Sequence, residues 1–209
     1  MRILFVTDLF HPYVGGGEIL IENIAKAAVK KGHDATIITS SLPKTEKEEV
    51  REGVVIKRAF VFPPFKRASF SITGSLKGIF EDFDVVHTQT FVSAGAAWIL
   101  KNIKRKPCSI TVHILEKKMW YKYFGLLRGL INEFLEQRII HRNFDFWIPV
   151  SLYTRNLLRY EGVPDEKLRV ICNGIDHDIF NPKVSGKKIR SKLEIEDKRF
   201  IFFYGRQAP

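Results

Sequence analysis

Residues 2–40 read RILFVTDLFHPYVGGGEILIENIAKAAVKKGHDATIITS, and the fold turns on how this stretch alternates. Arg2 to Thr7 is a short apolar run of β-formers, the pattern of a buried central strand. After Gly17 the spacing becomes helical: Ile19, Leu20, Asn23, Ile24, Ala27 and Ala28, closed by Lys30, Lys31 and Gly32. Lysines in a last turn oppose the negative end of the helix dipole, and a glycine there supplies the C-cap. Asp34 to Ser40 returns to strand, which makes a βαβ unit with a glycine loop at its first turn.

A loop of this kind leaves backbone N–H groups free at a helix N-terminus and lets a ligand approach closely. Phosphate is the usual guest. Gly15, Gly16 and Gly17 are therefore candidate diphosphate-binding residues, and His11, beside Pro12, is a candidate lining residue. The loop does not fit the dinucleotide fingerprint. If Gly15 and Gly17 were the first two glycines, the third would fall at Leu20, and the second strand ends in Thr39, Ser40 and Ser41 without a ribose-binding carboxylate. No Gly-Lys-Ser/Thr follows, so a Walker loop is excluded as well. A tight turn that binds nothing is the plainer alternative, but three glycines exceed what turn geometry demands.

The 209 residues are 45% hydrophobic and 27% charged, a globular composition with room for one large domain or for one domain and part of another. A net charge of +11 favours acidic partners: nucleic acid, anionic lipid or phosphorylated small molecules. Cys108 and Cys172 stand singly in apparent strands, which suggests reduced core thiols rather than a disulfide framework or a metal site. No apolar run approaches the ~20 residues that span a bilayer, and Asp8 interrupts the N-terminal stretch. The expected location is cytoplasmic, with peripheral contact at the inner face of the membrane as an option.

The alternation continues along the chain. Strands are expected at 54–61, 83–89, 107–115, 145–151 and 167–172. Residues 62–74, FPPFKRASFSITG, read as a loop, followed by a short helix at 75–80. Helices follow at 93–103, 118–142 and 152–161. Repeated βα units with near-continuous apolar strands predict an α/β fold with a Rossmann-like, doubly wound parallel sheet. The expected organisation is a domain over 1–172, a polar hinge over 173–198, and over 199–209 the first strand of a further domain that the chain does not complete.

Six motifs together resemble the retaining GT-B glycosyltransferases of family four, also called group one. They are HPYVGGGE, FDVVHTQ, TVHIL, PVSLYTRNLL, VICNGIDHDIF and FFYGR, in the family's order. The resemblance implies one half of a two-domain fold. The N-terminal domain receives the acceptor, and the C-terminal domain holds most of the nucleotide diphosphate sugar, the donor substrate. It implies a glycine loop pressed against a diphosphate held mainly by the other domain, which explains bare backbone without a ribose-reading carboxylate. It gives His113, at the end of a strand, the catalytic role of orienting the transferred sugar, and it places Arg206 with the diphosphate-binding residues. It implies no cofactor and no metal. The chain by itself is expected to be inactive.

Plainer readings compete at several positions. His113 could be a core histidine satisfied by a carbonyl, His87 is expected to support the site, Ser151 to cap a helix, and Glu18 to be a first-turn carboxylate. Asp82/Asp84 and Asp176/Asp178 form Asp-x-Asp pairs of the type that holds a divalent ion in another glycosyltransferase fold, but they read better as turn residues.

The helix at 118–142 raises the question of a partner. Met119, Trp120, Tyr123, Phe124, Leu127, Leu130, Ile131, Phe134 and Leu135 make a stripe that should face the core. Residues 101–142 also hold ten Lys/Arg against three Glu. Lys117, Lys118 and Lys122 crowd the helix N-terminus around Trp120, and Lys66 and Arg67 sit among phenylalanines in the preceding loop. These residues form a candidate membrane or acceptor face toward an anionic surface. No motif reads nucleic acid. The functional expectation is sugar transfer to an acceptor hydroxyl with retention, the acceptor being lipid-linked or membrane-associated. A non-catalytic acceptor-docking or membrane-recruiting subunit is the alternative, and a nucleotide-dependent oxidoreductase is disfavoured by the failed fingerprint.

Overall fold

The computed structural model describes residues 1–62, 66–89, 91–117 and 119–203, apart from the side chains of residues 66–68. The expectations for Lys118, Arg206 and the side chains of Lys66 and Arg67 lie outside the described residues. The chain divides into two compact units, Met1–Asn173 and Gly174–Pro209.

The first unit is built on one seven-stranded sheet of order β3-β4-β2-β1-β5-β6-β7. Its strands are β1 (Arg2–Val6), β2 (Asp34–Ser40), β3 (Glu48–Arg51), β4 (Val54–Ala59), β5 (Val85–Thr88), β6 (Cys108–Val112) and β7 (Phe146–Pro149). All neighbours run parallel except β3 against β4. The connecting helices are α1 (Gly16–Lys30), α2 (Lys66–Ile79), α3 (Phe91–Lys104), α4 (Met119–Ile140) and α5 (Leu152–Tyr160).

Alternation along the strands sends side chains into two cores. Leu4, Val6, Ile38, Val86 and Ile110 pack with Phe70 of α2 and Ala94, Ala97 and Leu100 of α3. Phe5, Ile37 and Ile56 pack on the opposite face with Ile21 and Ala25 of α1. With helices on both faces the sheet is doubly wound. Chain order reverses beside β1, whose neighbours are β2 and β5, so the switch point lies between β1 and β5.

Several elements differ from the sequence-based expectation. β3 is an edge strand of four residues joined to β4 by Glu52 and Gly53, both at positive φ (48° and 81°), a two-residue hairpin turn. Helix α2 begins at Lys66 rather than at Ser75, because prolines bar a helix interior but not the start of a helix just after them. The segment 167–172 is not a regular strand. Leu168 bridges Trp147, and the N–H groups of Arg169 and Ile171 donate to the carbonyls of Trp147 (2.9 Å) and Pro149 (3.1 Å). Cys172 is exposed, not a core thiol, whereas Cys108 is buried and burial pushes its thiol pKa up.

Helix α4 departs most from expectation. Gly125 (φ 74°, ψ 177°) breaks it, and the residues before the break fold back on those after it: a Cβ on Gly129 would stand 2.8 Å from Tyr121 Cα. The apolar stripe does not face the core. Only Gly129, Glu136 and Ile140 of α4 are buried, and Leu126 and Leu127 are each 73% exposed.

In the second unit, Asp176 Oδ1 accepts from the N–H groups of Asp178 (2.9 Å) and Ile179 (3.4 Å), so this Asp-x-Asp pair is a turn. A short helix, α6 (Lys187–Lys192), follows. Residues 200–203, expected to open a strand, have no regular structure.

Candidate functional site

The carboxyl ends of β1, β5 and β6 lie side by side and carry the residues of interest. After β1 the chain stays beside β2 for two residues, with Thr7 N–H donating to the Ile38 carbonyl (3.0 Å) and Ser40 N–H to that of Asp8 (3.3 Å). The glycine loop then leads into α1. Its position is fixed from an unexpected direction: buried Arg58 of β4 donates to the His11 carbonyl (2.8 Å) and to Glu49 Oε1 of β3 (2.6 Å). The edge hairpin therefore braces the loop. Sequence reasoning missed Arg58, whose only signal was a second cation, beside Lys57, in a strand that is apolar elsewhere.

Gly15 is the N-cap of α1, with extended backbone (φ −144°, ψ 171°) and no side-chain cap. None of the three glycines is in the left-handed region, so backbone conformation does not demand them. Two of them lie against side-chain ends that an added Cβ would have to push aside. A Cβ on Gly15 would collide with the Glu18 carboxylate, and one on Gly17 would stand 3.0 Å from Gln89 Nε2. Gly16 faces open space, with nothing within 4 Å of where its Cβ would be. Glu18 lies in the first turn, where the dipole favours an acid.

Gln89 follows β5 and is only 3% exposed, yet neither its Oε1 nor its Nε2 has a hydrogen-bond partner among the described residues. A buried primary amide left unpaired costs on the order of 1–3 kcal/mol, and such a group in a native fold calls for a partner that the described residues do not supply. His113, one residue beyond β6, likewise has a buried Nε2 without a partner. Its carbonyl accepts from Thr154 Oγ1 of α5 (3.3 Å), which anchors the backbone and leaves the ring uncommitted. Burial lowers the His113 pKa, so the imidazole is neutral at pH 7 and presents Nε2 as a neutral donor or acceptor.

His87 is different. Its Nδ1 meets Ser109 Oγ (2.8 Å), its Nε2 meets Thr111 Oγ1 (3.3 Å), and its ring packs edge-on against Phe5. Burial, with a smaller contribution from His113, pushes its pKa down to about 4. With both nitrogens engaged, His87 supports the site from within the sheet. Ser151 caps α5 by accepting from Thr154 N–H (3.1 Å).

The structure thus places the glycine loop after β1 and His113 after β6, two strands apart on the same carboxyl edge, and adds Gln89 after β5 between them, which sequence reasoning passed over. A polar residue closing an apolar strand was the available signal. The cationic candidates Lys117 and Lys122 lie at and just inside the start of α4. Lys117 Nζ pairs with Glu161 and lies 5.2 Å from the Tyr160 ring centre. The Trp120 indole N–H donates to buried Glu136, which also accepts from the N–H groups of Glu116 (3.0 Å) and Lys117 (3.1 Å). Lys122 is exposed. Asp84 accepts from Arg2 N (2.7 Å) at the opposite, amino end of the sheet. Among the described residues no cluster of His, Cys, Asp and Glu could hold a metal ion.

The arrangement offers three kinds of group at one sheet edge. An uncapped helix N-terminus with open backbone suits an anion, a free amide can pair with hydroxyls, and a neutral imidazole can do the same.

Comparison with known proteins agrees with this fold. The chain is 23% identical over its whole length to a GDP-mannose-dependent alpha-mannosyltransferase of Mycobacterium tuberculosis, covering 57% of that protein. It is 26% identical over 99% of its length to an uncharacterized glycosyltransferase of Methanocaldococcus jannaschii, covering 55% of it. The chain thus spans little more than half the length of these curated relatives. Among solved structures, sucrose-phosphate synthase from Thermosynechococcus elongatus superposes on 92% of the chain with a TM-score of 0.72 at 18% identity, and the chain covers 52% of it. Anabaena HepE in complex with UDP-glucose superposes on 94% with a TM-score of 0.65 at 17% identity, half of that protein being covered. These likenesses establish the fold as one Rossmann-like half of a GT-B architecture. The sequence profile of Glycosyltransferase Family 4 matches residues 14–179, most of the chain, and the protein belongs to that family.

Proposed function

We propose that this chain is the acceptor-side half of a glycosyltransferase that moves a sugar from a nucleotide diphosphate sugar to an acceptor hydroxyl with retention of configuration. The observation that carries the reading is that Gln89 and His113 Nε2, buried polar groups without partners among the described residues, follow β5 and β6 on the edge where the glycine loop leaves β1, with Gly17 against Gln89 and Gly16 open. In this reading the donor is held mainly by a second domain, and the Gly15–Gly17 loop closes on its diphosphate. Departing negative charge is met by backbone dipoles and cationic side chains, without a metal or other cofactor. Gln89 and His113 hydrogen-bond sugar hydroxyls, and the neutral His113 keeps its Nε2 on the transferred sugar. His11 lines the acceptor side of the same loop. Such an enzyme would work in the cytoplasm, where nucleotide sugars are made.

The test uses the enzyme with both domains present and a panel of nucleotide sugars, with release of nucleoside diphosphate as the readout. Gln89→Leu should lower turnover at least tenfold and leave the unfolding midpoint unchanged or raised, because it removes an unpaired buried amide. Unchanged turnover together with a lowered midpoint would show that Gln89 serves the fold and not the sugar.

A further inference from the structure

The exposed face of α4 is a feature that the sheet-edge site does not use. From Leu126 to Ile140 the helix buries Gly129, Glu136 and Ile140 and turns Leu126, Leu127, Leu130, Ile131, Phe134 and Leu135 outward, each at least half exposed. Their spacing, two adjacent residues every four, puts all six on one side of the helix. An apolar stripe this continuous is what interaction surfaces expose and what ordinary soluble surfaces avoid.

The charges on the same helix indicate what covers it. Its acids are turned inward and already engaged: Glu136 accepts three N–H donors, and Glu133 accepts from the Tyr121 hydroxyl. Its exposed charges are Lys122, Arg128 and Arg138, all cationic. Arg138 lies 5.0 Å from the Phe134 ring centre, so a cation rests directly on the apolar stripe. A second copy of this chain packed face to face would bring like charges together. A bilayer with anionic head groups takes both parts of the pattern, the apolar side chains entering the acyl boundary and the arginines meeting phosphates. No helix among the described residues is long and apolar enough to cross a membrane, so α4 would lie in the interface.

We infer that the Leu126–Leu135 face of α4 is a membrane-docking surface for anionic bilayers. It holds the protein on the membrane without touching the sheet-edge site, and it stands whether or not the proposed transferase reading does. An acceptor served by an enzyme held in this way would itself be lipid-linked.

Co-sedimentation with vesicles of phosphatidylcholine containing about a third phosphatidylglycerol, compared with phosphatidylcholine alone, tests this. The chain should bind the anionic vesicles and come off as salt rises. Arg128→Gln with Arg138→Gln should weaken binding about thirty-fold, at a factor of roughly five per cation. Leu127→Ser with Phe134→Ser should weaken it at least tenfold, and the exposure of both residues predicts an unchanged unfolding midpoint. Leu130→Ser alone serves as a second variant with less change to the helix. Equal binding to neutral and anionic vesicles, no binding to either, or full binding by the folded serine variants would each overturn the inference. So would a concentration-dependent dimer abolished by Leu127→Ser and Phe134→Ser in a chain that ignores vesicles.

Discussion

Three glycines in a row do three different jobs. Gly15 leaves room for the Glu18 carboxylate and Gly17 for the Gln89 amide, while Gly16 alone opens onto free space. Gly17→Val should therefore displace Gln89 and cost both stability and donor binding. Gly16→Ala should leave the unfolding midpoint nearly unchanged, so any loss of donor affinity there reports a ligand and not the fold. Thermal denaturation of the two variants beside a donor titration separates these effects. His87 makes a second prediction at this scale. Its folded pKa of about 4 lies below the ordinary 6.5, so the unfolded chain binds the extra proton first. Its stabilising contribution is complete above pH 6.5 and is lost as pH falls toward 4. Between pH 7 and about pH 5.5 the loss should be on the order of 1 kcal/mol, with His113 adding in the same direction, and His87→Asn should flatten that slope. A denaturant series whose pH dependence His87→Asn leaves untouched would contradict the assignment. The places of the glycine loop and of His113 at strand ends were legible in the sequence because strand ends and glycine runs are local patterns, while the role of His113 came from the family resemblance. Gln89 and Arg58 were not, because an unpaired amide and a buried guanidinium are properties of three-dimensional neighbours.

At the scale of elements, the βα alternation gave the strands from their apolar runs, and β2 lies within the residues expected of it. The edge hairpin escaped because Glu48–Arg51 is short and charged, as edge strands tend to be. Segment 167–172 looked like a strand for the opposite reason, since its apolar residues meet β7 at isolated points without forming a ladder. Helix α4 shows the limit of periodicity as a guide. A helical stripe fixes which side chains share a face but not whether that face is covered, and here the covered side is the one bearing Gly129 and Glu136. The back-folding at Gly125 requires a backbone conformation that residues with a side chain resist. Gly125→Ala should cost roughly 1–3 kcal/mol by strain alone. Gly129→Val, whose Cβ would meet Tyr121 backbone at 2.8 Å, should open the hairpin. Chemical denaturation checks both, and a wild-type midpoint in either variant would show that the two segments of α4 do not pack as described.

At the scale of the whole molecule, the sheet order, the switch point between β1 and β5 and the two cores are those of a Rossmann-like half of a Family 4 glycosyltransferase. That much could be read from the order of the motifs. What the edge of the sheet does with a substrate could not, because the sequence carries no record of which polar groups fold leaves unsatisfied. The central claim is that the carboxyl edge between the glycine loop and His113 is where the sugar and its diphosphate are held. The most direct measurement is turnover by His113→Ala in the enzyme with both domains, beside its unfolding midpoint. Because His113 Nε2 has no partner to lose, the midpoint should stay within about 1 kcal/mol of wild type. Turnover should fall on the order of a hundredfold or more, the usual consequence of losing a hydrogen bond that tightens in the transition state. A folded His113→Ala enzyme that turns over at the wild-type rate would contradict the account.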